Sequence, residues 1–542
     1  TTKDFFGDLV DKRAIASLFD FENREGIFPG VHRSYKFCLL TLSGAPVRQA
    51  QFVFFATRVE HLRDERRRFS LDPAEIALFN PNTRTMTIFR TRFDEELTCE
   101  IYKRIPILIN EELGLNSWKI QIRQGLFHIT NDLRSGIIID KSTTNVNDDF
   151  FMLYEAKLIW QFDHRFASYA PNEEMFVKTP EELPDAIKTN TQNKVVGRYF
   201  VSKDILDLRI PEDYRKKWFI VYRDVTNSTN ERTTIATVIP RLGVAYTLRV
   251  ITNIDATPKQ TACFLGNINS IVFDYFARQS IGGMHLSDHI IMQLPILPQD
   301  YFSIKDLEFI TDRVLELVYT SLDLKPFATD LGYPGEPFQW NETRRSVLKA
   351  ELDAYYARLY GLNRKQLRYI LDPADLTPRE LEDILDPWEE VADPLDPAGY
   401  DARRAASDFP GETFRVLKEK ELRQYGEYRT RRLVLEAWDR LEGVEVGNPD
   451  GYPAQSAAVS QKQETILVPQ PKSESRPAAI RNQPFTPSVD AKELDAPVGQ
   501  PTLTDFGLYK CEVCGKMVMG FEKANHEQEN HGGESVGWKK VR

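Results

Sequence analysis

At 542 residues the chain is too long for one ordinary domain, and its length suits about three or four. With 42% hydrophobic and 28% charged residues it has the balance of a globular protein, not of a disordered or collagen-like one. A net charge of −10 argues against a uniformly basic nucleic-acid coat but leaves room for local basic grooves. No stretch is apolar for long enough to form a membrane-spanning helix, so no membrane partner is expected. The sequence begins Thr1-Thr2-Lys3-Asp4, with no initiator Met and no basic-then-apolar signal, which reads as a cut through a longer protein. Cys38, Cys99 and Cys263 stand alone, mostly within apolar runs, and are expected as buried free thiols in a reducing cytoplasm.

Residues 2–12 place Phe5, Phe6, Leu9 and Val10 at helical spacing. Strands are expected at Ala14 to Phe21, Tyr35 to Ser43 and Ala50 to Ala56, and the first connection, with Gly26, Pro29 and Gly30, reads as a loop. Residues 61–149 mix charge with short apolar runs. The segment 150–302 is richer in β-branched and aromatic runs such as Lys217 to Tyr222 and Thr234 to Ile239. From 303 the apolar spacing turns helical, at Leu307 to Leu317 and again at Leu348 to Leu362. Residues 371–400 carry ten acids against one Arg and several Asp-Pro pairs, so exposed turns and short helices are expected. One long helix is predicted from Phe414 to Leu441. The Pro-, Gln- and Ser-rich stretch 446–505 has too little apolar surface to offset ordering entropy and reads as a disordered linker.

The closing segment 506–542 carries the sharpest local motif. Cys511, Cys514, His526 and His531 form C-x2-C-x11-H-x4-H, and four of the chain's thirteen Cys and His residues fall within these 21 positions. Two thiolates and two imidazoles at such spacing can close a tetrahedron around zinc. The pattern resembles a Cys2His2 zinc finger, although the usual central spacing is twelve.

The run Leu18-Phe19-Asp20-Phe21-Glu22-Asn23-Arg24-Glu25-Gly26-Ile27-Phe28-Pro29-Gly30, continuing to Leu42, carries a second resemblance. It is similar to the end of the catalytic domain in large adenine-specific DNA methyltransferases of the type IIG and phage-defence kinds, DISARM-like ones included. Three more blocks extend the similarity: Leu153 to Phe166, Tyr222 to Thr233, and Gly282-Gly283-Met284-His285-Leu286. The resemblance implies that 1–60 is an α/β remnant of a Rossmann-like methyltransferase sheet. It also implies that Phe28, in the Phe-Pro loop, stacks on a flipped target adenine. A flipped base needs an apolar face to replace its lost stacking. It further implies a target-recognition domain at 150–302 and S-adenosylmethionine as the parent protein's cofactor.

The residues support a DNA role by themselves. Segment 191–250 holds eleven Lys or Arg against six acids. Arg223, Arg232, Arg241 and Arg249, with Asn227 and Asn230, are expected to contact double-stranded DNA, because Arg reads guanine and Asn reads adenine. Glu155-x-Lys157 lacks the preceding acid of a metal-dependent nuclease, and His164 and His285 read as structural histidines. The chain has no Pro-Pro dipeptide and no Gly-rich cofactor turn, so the family's catalytic and cofactor motifs are not in it.

The expected organisation is therefore the α/β remnant at 1–60, a mixed connector at 61–149 and α+β DNA recognition at 150–302. A helical region at 303–445, the linker at 446–505 and a zinc finger at 506–542 complete it. The expected activity is adenine-specific methylation by the parent protein, in restriction–modification or phage defence, with restriction or defence-system subunits as partners. The rival reading is a non-enzymatic DNA-specificity or scaffold subunit serving a separate methyltransferase.

Overall fold

The computed structural model describes residues 2–141, 149–169, 179–252, 255–386 and 390–447, together with the backbone of three strands between 508 and 540. The chain divides into two units, Thr1–Pro469 and Gln470–Arg542. The architecture is mixed α/β with several small sheets and many helices, and no closed barrel occurs among the described residues. No described helix is long and apolar enough to cross a membrane.

The first unit opens with helix Thr2–Asp11, followed by β1 (Ile15–Glu22), β2 (Lys36–Leu42), β3 (Ala50–Ala56) and β4 (Phe69–Leu71). They form one sheet in the order β2-β1-β3-β4. β1 runs antiparallel to β2 and parallel to β3, and β3 runs antiparallel to β4. β3 is buried on both faces because its side chains alternate between two cores. Phe52 and Phe54 join the main core, whereas Val53 packs with Phe21 on the other side. β2 is the outer strand and exposes Leu39, Leu40 and Leu42. The sheet runs on to Leu71, past residue 60. Cys38 lies on β2 and is exposed, unlike buried Cys99 and Cys263, so the expectation of three buried thiols is corrected at that position.

Two four-stranded sheets build the middle of the unit. One orders strands 236–240, 218–223, 248–252 and 121–124, and the other orders 243–244, 150–154, 199–202 and 138–140. The predicted strands at 217–222 and 234–239 pair antiparallel, with Ile220 opposite Val238. A core from Leu126 to Val250 fills this region, while the main core joins residues from Leu9 to Leu441.

The predicted helix over 414–441 is two helices, Arg415–Tyr425 and Arg429–Arg440. Gly426 separates them in the left-handed region (φ 75°), where a residue without Cβ ends a helix at little cost. The acidic stretch 371–400 is likewise not simply exposed. Asp375 and Glu380 are buried, with Arg368 between them at 3.1 and 2.8 Å. Arg403 and Arg431 also reach Asp375, at 2.6 Å each. The acids are there to neutralise buried arginines.

In the second unit, strand Leu508–Cys511 pairs antiparallel with Met517–Met519 and with Trp538–Lys540. Cys511 ends the first strand, while Cys514, His526 and His531 lie outside the described residues, as does the expected linker from 448 onward.

Candidate nucleic-acid interface

The loop joining β1 to β2 is organised by one buried amide. Asn23, with no exposed surface, donates from Nδ2 to the carbonyls of Phe28 (3.0 Å) and Val31 (2.8 Å). Its Oδ1 accepts the Phe28 N–H at 2.8 Å. The Phe28 backbone is thereby fixed from both sides, while its side chain stays 49% exposed. The ring makes an edge contact with Phe37, 4.9 Å between centroids, and Phe37 in turn stacks on Phe21 at 5.1 Å. An aromatic ring held on a clamped backbone and left half in solvent offers a face to a planar ligand.

The blocks at 153–166, 222–233 and 282–286 meet in space. Arg223 reaches the Ile159 carbonyl and lies 4.9 Å from the Trp160 ring centroid. The Thr226 N–H donates to the Met284 carbonyl at 3.0 Å, and Val225 bridges His285. Buried Asp224 accepts from Arg249 (3.1 Å) and from His285 Nδ1 (3.0 Å). These contacts make one layer from three remote segments.

The expected DNA contacts are redistributed by this packing. Arg232 is buried, with Nε 2.7 Å from Asp274 and Nη2 donating to the Asn269 carbonyl at 2.6 Å. Arg249 is buried between Asp224 and Asp288, and burial pulls the Arg223 guanidinium down to about 10. In this conformation Arg232 and Arg249 are interior cations, and the partly buried Arg223 packs on Trp160 with its guanidinium turned to the Ile159 carbonyl. Arg241 pairs with Asp207 at 3.1 Å on a more open surface. Asn227 accepts the Thr229 N–H and hydroxyl at 2.9 and 2.7 Å, and Asn230 donates to Thr226 Oγ1 at 3.3 Å. Both Asn side chains shape the turn between Thr226 and Glu231.

Other titratable groups have structural partners. Glu155 accepts from Tyr169 at 2.8 Å, and fully buried His164 meets Asp323 at 3.0 Å. Burial alone would raise the Asp323 carboxyl, but His164, with Ser321 and Arg165, outweighs it and holds the group at about 2. Three further residues prove central. Asn23 holds the Phe28 loop, and Asp274 with Arg278, on helix Ile271–Ser280, ties that helix to the 226–233 turn. An Asp and an Arg four apart, set in the mostly apolar run Ile271 to Ala277, were the available signal.

No protein-family model matches the chain, and no curated protein does. Among solved structures, the type IIG restriction endonuclease BpuSI is similar at 12% identity and a TM-score of 0.22, over 61% of this chain. The match covers 44% of that structure, so the chain spans less than half of its length.

Proposed function

We propose that the chain is the DNA-recognition part of a site-specific, adenine-specific DNA methyltransferase acting in restriction–modification or phage defence. In this reading the parent protein binds S-adenosylmethionine and transfers its methyl group, while this chain grips double-stranded DNA and presents Phe28 to the extruded adenine. The observation that carries it is the Asn23-clamped loop, which holds the Phe28 backbone and leaves its ring half exposed. An anchor residue would be buried; a stacking platform has to be open. Cys511, Cys514, His526 and His531 would hold a zinc ion, which cross-links its segment when bound. Of these four, Cys511 falls at the end of strand Leu508–Cys511.

The test is methylation by the parent protein with Phe28 replaced. Base–aromatic stacking contributes roughly 1–3 kcal/mol, so Phe28→Ala is expected to lower the rate on the order of tenfold to a hundredfold. Cofactor affinity should stay unchanged, and Phe28→Tyr or Trp should restore much of the rate. Activity that falls only in step with melting temperature, with no recovery in Tyr, would assign Phe28 to loop stability instead.

The open outer edge of β2, with Leu39 and Leu42 exposed, favours one further reading, a specificity subunit whose catalytic sheet comes from a separate chain. Co-purification of a separate methyltransferase with the chain, lost on Leu39→Lys with Leu42→Lys, distinguishes it.

A further inference from the structure

Parallel β1 and β3 end on the same side of their sheet, and a cavity of about 380 Å³ opens there. Glu22 and Lys36, where the Phe28 loop leaves β1 and enters β2, both line it. The facing wall is the Ser228–Thr229 turn and the segment that leads into helix Arg415–Tyr425.

The cations around this cavity are unequally committed. Arg278 is satisfied by Asp274 and by the carbonyls of Ser228, Asn230, Glu231 and Thr413, so it is part of the wall. Lys36 is balanced by Glu22 at 3.3 Å. Arg90 differs: its Nη1 is buried with no hydrogen-bond partner, and its guanidinium lies 5.0 Å from the Phe55 ring centroid. Arg67, only 9% exposed, also has a buried Nε without a partner. Its Nη2 donates to the Pro410 carbonyl at 3.0 Å, and Asp64, at 3.8 Å, is already bonded to Arg66. Orphaned N–H groups on buried guanidiniums are costly and call for an acceptor.

Two more features converge on the same place. Helix Arg415–Tyr425 begins after Phe414, which has no side-chain oxygen, so no side chain caps its first amides. Its positive end borders the cavity. Phe55, on the cavity wall, holds φ 57°, a left-handed conformation that is strained for an aromatic residue. The acids nearby have cationic neighbours: Glu22 also meets Arg24 at 2.9 Å, and Glu412 lies 2.7 Å from Lys418, although its Oε2 accepts no hydrogen bond.

We propose that this cavity is a phosphate-binding site, in which Arg90 and Arg67 donate to the phosphate oxygens and the open N-terminus of helix Arg415–Tyr425 faces the anion. The source of the phosphate rests on the functional reading above, which places a DNA strand phosphodiester at the foot of the Phe28 loop. The same donors would accept the terminal phosphate of a free nucleotide.

The test uses the full chain with Arg90→Gln and, separately, Arg415→Glu. Arg415 is exposed, its pair with Glu419 one turn on contributes little, and an acid in a first helical turn favours the helix, so the second variant is expected to fold. Melting is compared in inorganic phosphate and in chloride at equal ionic strength, and affinity for labelled duplex DNA is measured across salt. Phosphate should raise the melting temperature of the wild type, and each variant should lose that rise. Duplex affinity should weaken on the order of tenfold, the range of one lost charged hydrogen bond. The salt slope of Arg90→Gln should fall by about one. Loss of the phosphate effect with DNA affinity unchanged supports the site with a free phosphorylated ligand as its occupant. A phosphate effect in a wild type that binds no DNA supports the site and overturns the functional reading. No phosphate effect in the wild type, with DNA binding in the folded variants equal to it, overturns the proposal. If Arg90→Gln does not fold, Arg415→Glu decides between the same outcomes.

Discussion

Buried Arg232 faces two buried carboxylates, Asp274 at 2.7 Å and Asp353 at 3.7 Å, and Asp274 also meets Arg278 at 3.2 Å. Burial lifts the Asp353 carboxyl to about 6, against the pull of Arg232 and the Ile271 amide, and Asp274 adds to the rise. A carboxyl whose native value lies above its ordinary 3.8 binds more protons folded than unfolded between those values. Its contribution is therefore full below pH 3.8 and is lost as pH rises through about 6. Arg232→Ala removes the cation both acids share, and breaking such a buried pair costs about 3–5 kcal/mol. The loss in unfolding free energy is expected to be larger at pH 8 than at pH 5, where Asp353 takes up a proton. Denaturant unfolding of the variant at the two pH values measures this. A loss below about 1 kcal/mol at both, the range of surface charge pairs, would return Arg232 to the surface role its sequence context suggested. The sequence showed eleven cations between 191 and 250, but not that several of their partners lie outside that window. Arg198 meets Asp140 at 2.7 Å and Arg209 meets Asp132 at 2.9 Å. Charge counted along a window is blind to such pairing.

Secondary elements were legible where local pattern dictates them. The first helix and β1 to β3 fall within a residue or two of their apolar runs, because spacing of two or of three and four needs no tertiary information. The break at Gly426 was readable in principle, since glycine is the residue that ends helices in the left-handed region. Burial of Asp375 and Glu380 was not, because it depends on Arg368, Arg403 and Arg431 arriving from neighbouring helices. The Phe28 loop lies between: its residues were visible, but the clamp by Asn23 exists only once Phe28 and Val31 fold back on it. The zinc proposal is tested on the four residues Cys511, Cys514, His526 and His531 themselves. The purified full chain is expected to contain one zinc per molecule by elemental analysis, lost in Cys511→Ser with Cys514→Ser. An equal metal content in that double variant would remove the proposal.

Across the molecule the main core runs from Leu9 to Leu441, so the regions expected as successive domains share part of their interior, while a second core from Leu126 to Val250 belongs to the middle sheets. Loop and turn are thus carried on a common frame, with the Phe28 loop at the end of β1 and the 226–231 turn facing the same cavity. The net charge of −10 is compatible with DNA binding because affinity for phosphate follows local field, and the unpartnered Arg67 Nε and Arg90 Nη1 are local. The proposed function requires this chain to read a duplex sequence containing an adenine. The most direct measurement is selection of a randomised duplex DNA pool on the purified full chain at low salt, followed by sequencing of the retained strands. Enrichment of one motif with an invariant adenine, competed away as salt rises, is the predicted result. A chain that is folded yet retains no duplex at low salt, or retains it with no motif enriched over successive rounds, would contradict the account.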